Sequence, residues 1–116
     1  DVLGICEVEN EPVLKRLARI GDGWIPLDRP NEETKAAVER VRSYAREAGR
    51  DPSSIAMAPV MHLANSNFGE LLDEAKEWRG IRVTHLYLDT MNSGLATPKD
   101  HIQTITEFKK TLDELG

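Results

Sequence analysis

The stretch ARIGDGWIPL, residues 18–27, carries a basic helical run through Gly-Asp-Gly into a Trp-Ile-Pro-Leu strand within four residues. Gly21 stands where a helix C′ residue sits, and the expectation is a left-handed backbone there, which glycine adopts without a Cβ clash. So tight a junction has room for neither a hairpin nor a long loop. It reads as the αβ corner of a repeating βα unit, and the rest of the chain repeats it.

Four short apolar runs have strand character: Val2–Cys6, Trp24–Leu27, Ile55–Ala64 and Val83–Asp89. Each is bounded by polar or glycine turns, as strands buried on both faces of a parallel sheet are. Four helical runs alternate with them. The first has Asn10 as N-cap, Glu11-Pro12 in its first turn and an apolar stripe of Val13, Leu14, Leu17 and Ala18. The second follows Pro30-Asn31, places Glu32 and Glu33 at the positive dipole end and buries Ala37, Val38, Val41, Tyr44, Ala45 and Ala48. The third runs from Asn67 to Arg79 over Phe68, Leu71, Leu72 and Ala75. The fourth opens on Thr97-Pro98, a cap followed by Pro at N1, with Ile102, Ile105, Phe108, Leu112 and Leu115 as its stripe.

Gly21-Asp22-Gly23, Gly49, Gly80 and Gly116 read as helix stops, three of them spaced by about 30 residues, the length of one βαβ step. Asp51-Pro52-Ser53-Ser54 is a turn before the third strand. Four such units with right-handed crossovers give a small open parallel sheet or half of an eight-stranded barrel. A complete barrel takes about 250 residues, so 116 residues cannot close one. The expected architecture is one α/β domain over residues 1–116: a (βα)₄ half TIM barrel, its four parallel strands in chain order and its helices on one face. The first strand-like run begins at the chain start, which leaves both a complete chain and one with a missing N-terminal portion open.

A net charge of −5 and a pI near 5.2 speak against a nucleic-acid or anionic-membrane surface, since both need clustered Lys and Arg. No apolar run approaches the ~20 residues of a membrane helix, and no signal peptide is visible. Cys6 is the sole cysteine, so neither an intrachain disulfide nor a cysteine zinc site is expected. Cytoplasm is the expected compartment.

The segments LKRLARIGDGWIPL, VERVRSYAREAGRDPSSI and RVTHLYLD with HIQTITEFKKTLDEL resemble the C-terminal half of the luciferase-like oxidoreductases. The resemblance implies strands five to eight of a (βα)₈ barrel. It also implies reduced flavin mononucleotide or a deazaflavin as the cofactor of the family function. Ser66–Phe68 is short where many family members carry a long insertion. One departure matters most. The family ends its fifth strand with Gly-Gly and then a Ser before Glu-Pro, and these amides help hold the cofactor phosphate. Here Glu7 and Val8 stand at the glycine positions and Asn10 at the Ser position. A Cβ at both positions blocks close backbone approach, and Glu7 and Glu9 add charge that repels a dianion. The helix N-terminus after Asn10 remains an anion candidate with carboxylates competing for it.

Catalytic groups of a barrel sit at the C-terminal ends of its strands. Alternation puts His85, Tyr87 and Asp89 on one face of the last strand, and His62 with Ala58 and Val60 on one face of the third. If both faces point to the barrel axis, His62, His85, Tyr87 and Asp89 form a cluster able to do acid–base work or ligate a metal. Local hydrogen bonding at an interface or lumen is the plainer reading and the preferred one, since no nucleophile or metal-ligand spacing accompanies them. Trp24 and Trp78 are candidates for stacking on a flavin, against core packing. Asp22 is a candidate ligand-orienting group, against a tight-turn role. His101 reads as a solvated side chain, and Asp89–Pro98 as the longest βα loop and the best place for a small-ligand site.

Three functional readings follow. The first is a half-barrel that is not catalytic alone and binds no cofactor alone, because the phosphate-binding glycines are missing. The second is a flavin or deazaflavin oxidoreductase, formed by assembled halves or as part of a longer chain. The third is a small-ligand module without redox chemistry. An unclosed half-barrel leaves the lumen side of its sheet bare, with Val60, Val83, Tyr87 and Trp24 as lumen candidates. The expectation is therefore a homodimer or higher even oligomer.

Overall fold

A computed structural model describes residues 2–115. The elements run β1 (Leu3–Cys6), α1 (Glu11–Ile20), β2 (Gly23–Pro26), α2 (Glu32–Glu47), β3 (Ala56–Met57), β4 (Val60–His62), α3 (Phe68–Ile81), β5 (Tyr87–Asp89) and α4 (Pro98–Glu114). A single 3₁₀ turn, Pro52–Ser54, precedes β3 and is capped by Asp51. Every strand pair is parallel, and α1, α2 and α3 each return the chain for the next strand. The fold is α/β with parallel strands and four helices, in agreement with a half-barrel.

The expected single four-stranded sheet is instead two sheets, β1-β2-β3 and β4-β5. The run Ile55–Ala64 does not form one strand but breaks at Ala58-Pro59. Two prolines account for the break. The β2–β3 ladder advances as far as the bond from Ala58 N–H to the Trp24 carbonyl. Its next rung needs an N–H from Pro26, and proline has none. Beyond Pro59 the chain pairs only with β5, where His62 stands opposite Asp89. Val83–Leu86 is not strand either. Thr84 and His85 both donate to the Met57 carbonyl, and Thr84 Oγ1 accepts from Met57 N–H at 2.8 Å.

Parallel register sorts the side chains onto two faces. Gly4, Trp24 and Met57 are in register and face the helices, where Trp24 is 0% exposed. Leu3 and Ile5 face the other way and stay 45% and 61% exposed. Val60 and Tyr87, in register, lie on that same open side, with Tyr87 49% exposed. Trp24 and Val83 do not: both pack into the helix-side core, which corrects their expected place in the lumen. The molecule is correspondingly drawn out. Its Cα radius of gyration is 15.3 Å, against about 13 Å for a compact chain of this length. Its surface is 7241 Å², against about 6,300 Å² for a closed monomer of this mass.

Helix ends follow local chemistry, with two corrections. Gly21 is extended (φ −81°, ψ 158°), not left-handed. It must be glycine because a Cβ there would meet the Leu17 carbonyl oxygen at 2.8 Å. Gly80 does not stop α3, which continues to Ile81 and ends on Arg82 in the left-handed region at φ 65°. Gly49 does cap α2 at φ 76°, with Gly49 N–H on Arg46 and Arg50 N–H on Ala45 in a Schellman pattern. Asn31, Asn67 and Thr97 cap the following helices through their side chains, the last in a capping box with Asp100. Gly116 lies outside the described residues. Of the expected α4 stripe only Phe108 is buried, edge-on to Phe68 at 5.4 Å, while Ile102, Ile105 and Leu115 remain exposed. Ala48 is also exposed.

Candidate functional site

At the C-terminal end of β4 and β5, His62 Nδ1 lies 3.1 Å from Asp89 Oδ2 on the open face. Asp89 Oδ1 accepts the Met91 N–H at 2.8 Å. That backbone bond first, and the His62 bond second, hold the Asp89 carboxyl below its ordinary range. Tyr87 shares the face. His85 does not join them. It precedes β5, bonds Thr84 Oγ1 through Nδ1 at 2.9 Å, and lines a cleft at the opposite end of the strands. The expected four-residue cluster is therefore a His62–Asp89 pair with Tyr87 nearby, because the strand starts at Tyr87, four residues later than its sequence pattern suggests. Among the described residues no group of three or more His, Cys, Asp or Glu could hold a metal ion.

Loop 90–97 leads from this pair into α4. His101, expected to be solvated, instead places Nδ1 2.7 Å from Oγ1 of the buried Thr90 and ties the loop to the first turn of α4.

The turn between β1 and α1 is occupied by its own bonds. Val8 is buried and its N–H donates to Asp28 Oδ2 at 2.9 Å. Asn10 N–H donates to Glu7, Glu11 N–H to Glu9, and both Val13 and Leu14 to the Asn10 carbonyl. Position 12 is proline and has no donor. The Asn10 side chain makes no capping bond. The Glu11 carboxylate pairs with Arg40 Nε at 3.3 Å and accepts the Tyr44 hydroxyl, which raises the Tyr44 pKa by holding its proton as a donor. Arg40 Nη2 also donates to the Val8 carbonyl at 3.2 Å. Asp28 and Arg40 were not singled out in the sequence, and Tyr44 was expected only as part of the buried stripe of α2. Arg40 and Tyr44 are spaced i, i+4 beside the buried stripe of α2, which is the signal that marks them.

Asp22 and Trp24 serve the frame. Asp22 Oδ2 accepts Val2 N–H at 2.7 Å at the N-terminal end of the strands, where a barrel carries stability and not chemistry. Trp24 Nε1 donates to the Cys6 carbonyl at 3.3 Å inside the core, so its ring has no free face for a ligand. Trp78 is likewise core. Glu74 is a further group that the sequence reading passed over. It sits on the buried stripe of α3 with its side chain 14% exposed and bonds Arg29 at 3.2 Å. Desolvation raises its pKa against the opposing charge of Arg29.

A family model described as luciferase-like monooxygenase matches residues 9–114. The chain belongs to that family. Curated relatives include the phthiodiolone/phenolphthiodiolone dimycocerosates ketoreductases of Mycobacterium tuberculosis (strain ATCC 25618 / H37Rv) and Mycobacterium bovis (strain BCG / Pasteur 1173P2). Each is 37% identical over 76 residues, which is 64% of this chain and 20% of the relative. The matched region thus spans about a fifth of the length of these relatives. No solved structure matches the chain.

Luciferase-like monooxygenases commonly use flavin. The residues at the β1–α1 turn do not fit a flavin phosphate. Of the backbone N–H groups from Val8 to Leu14, those of 8, 10, 11, 13 and 14 already donate within the chain. The helix N-terminus, which would otherwise receive an anion, has its donors internally satisfied and four glutamate or aspartate carboxylates around it: Glu7, Glu9, Glu11 and Asp28.

Proposed function

We propose that this chain is a luciferase-like half-barrel that is not redox-active alone and that works as an assembly joined through its open face. The observation that carries the first part is the consumption of the β1–α1 amides by Asp28, Glu7, Glu9 and Asn10. A dianionic phosphate needs several free donors converging on it, and it would have to displace these bonds against the local carboxylates. The test is a titration of flavin mononucleotide followed by flavin fluorescence. The expected result is no saturable quenching below ~100 μM; tighter binding overturns the reading.

The second part rests on Leu3, Ile5, Val60 and Tyr87 forming one apolar side with no helix over it. The surface excess of roughly 900 Å² over a closed monomer is of the size that one partner covers in a standard interface. A homodimer or higher even oligomer covers that face. Light scattering at micromolar concentration tests it: Ile5→Lys, on an exposed position, is expected to shift the assembly to monomer. A wild-type monomer under the same conditions refutes it.

A second reading has its own observation. The His62–Asp89 pair lies at the C-terminal strand ends on the open side, where a (βα)₈ enzyme carries its chemistry. In this reading an assembled or longer barrel is a flavin or deazaflavin oxidoreductase. An absorbance scan of the assembled protein separates the two, because bound oxidised flavin is yellow. The third reading, a small-ligand module at loop 90–97, has the Thr90–His101 tether in its favour. Saturable ligand shifts confined to that loop would single it out. A lone buried thiol in an acidic chain suits the reducing cytoplasm, which completes the proposal.

A further inference from the structure

At the N-terminal end of the strands, remote from His62 and Asp89, a cleft of about 500 Å³ opens between α3 and α4. Val83, Leu86 and Leu112 give it an apolar floor, and Arg79 and Arg82 stand on its rim. A second cleft of about 410 Å³, lined by Arg42 and Arg46, adjoins it through Arg82 and Thr84, which belong to both. Lys109 also reaches the first cleft, but its ammonium is held by Asp113 at 2.5 Å. Among the described residues Arg46, Arg79 and Arg82 form no ion pair. In a chain of net charge −5 this is a local concentration of positive charge, with Asp51 of the second cleft the one carboxylate among the residues lining either.

Helix dipoles explain part of it. Arg46 and Arg79 lie in the last turns of α2 and α3, where a cation is favoured by the carbonyl ends. Arg82 is the C-cap residue of α3, so the same carbonyl end favours its charge as well. Its backbone is left-handed at φ 65°, a conformation that glycine takes without the steric cost a Cβ brings. Arg42 Nη2 fixes the turn by donating to the carbonyls of Ile81 and Arg82 at 3.2 and 3.0 Å. The backbone strain thus sits on the residue that joins the two clefts, and strained non-glycine residues concentrate at functional positions.

Guanidinium forks bind carboxylate and phosphate oxygens in pairs, and an apolar concavity of this volume takes an alkyl or aromatic body. We infer that the α3–α4 cleft binds an amphiphilic anion, its apolar body on Val83, Leu86 and Leu112 and its head between Arg79 and Arg82. The site is independent of the β1–α1 turn and of the open face.

The test is an amide-shift titration of the whole chain with sodium decanoate below its micelle concentration, with decan-1-ol and inorganic phosphate as the body and head alone. Decanoate is expected to shift the amides of Arg82–Leu86 and Leu112 saturably. The double variant Arg79→Glu/Arg82→Glu, on exposed positions, is expected to weaken it at least about tenfold by removing both charge-assisted contacts. Arg82→Gly is expected to weaken binding while raising the urea midpoint, a combination that a purely structural Arg82 would not give. Equal binding of decan-1-ol, equal binding of phosphate, or unchanged affinity in the charge-reversed variant overturns the inference. So do shifts confined to Leu3, Ile5 and Tyr87, or no saturation by about 5 mM.

Discussion

Replacing Trp24 by Phe separates a core tryptophan from one kept to stack on a ligand. The indole is 0% exposed and its Nε1 donates to the Cys6 carbonyl at 3.3 Å. Phenylalanine lacks the donor and fills less of the space. The lost apolar contact is equivalent to about two methylenes, or roughly 1.6 kcal/mol at 0.8 each. The lost hydrogen bond adds about 1 kcal/mol. A loss near 2.5 kcal/mol is a large part of the 5–15 kcal/mol that holds a domain together. With a urea slope of about 1–1.5 kcal/mol per molar, the midpoint falls by roughly 2 M. Urea melts followed by far-ultraviolet circular dichroism measure it. A midpoint within about 0.5 M of wild type would show that the indole is not built into the core, and would refute the packing argument.

Gly21→Ala should destabilise by about 1–3 kcal/mol, because its methyl would sit 2.8 Å from the Leu17 carbonyl oxygen. Gly49→Ala has open space and should cost only about 1 kcal/mol, from its positive φ. A neutral Gly21→Ala in urea melts would contradict the contact. Glu74 has a raised folded pKa, so stability falls as pH rises from the ordinary glutamate value through the folded one. Glu74→Gln should therefore flatten that slope and leave the protein at least as stable at pH 7, since the Arg29 partner is an exposed side chain contributing little. A marked loss at pH 7 would show the ion pair to be essential. Asp89 has a depressed folded pKa, so its contribution is present above the unfolded value near 3.9 and is lost as pH falls through the folded one. Asp89→Asn should reduce the acid dependence of stability below pH 4, and an unchanged acid limb would argue against the Met91 and His62 bonds.

The helices were legible because their information is local. Apolar spacing marked Leu14, Leu17, Val38, Val41 and Leu71, and short polar side chains marked the caps at Asn31, Asn67 and Thr97. The strands were harder. A run such as Ile55–Ala64 is apolar whether it forms one strand or two, and the break depends on which neighbour lacks an N–H at each rung. Pro26 supplies part of that answer from thirty residues away.

The amino-acid sequence by itself determined the alternation of strand and helix, the family, and the presence of side chains, Glu and Val, at positions 7 and 8. Each is a property of residues near one another along the chain. Tertiary structure alone decided which way the strand side chains face, because a period of two leaves the choice of face open until a register is fixed. It turned Trp24 inward against Cys6, joined His62 to Asp89 while leaving His85 at the other end, and spent the Val8 amide on Asp28. It also made Gly21 necessary through contact with Leu17 and not through its own φ. These outcomes depend on atoms that only folding brings within hydrogen-bond or van der Waals distance.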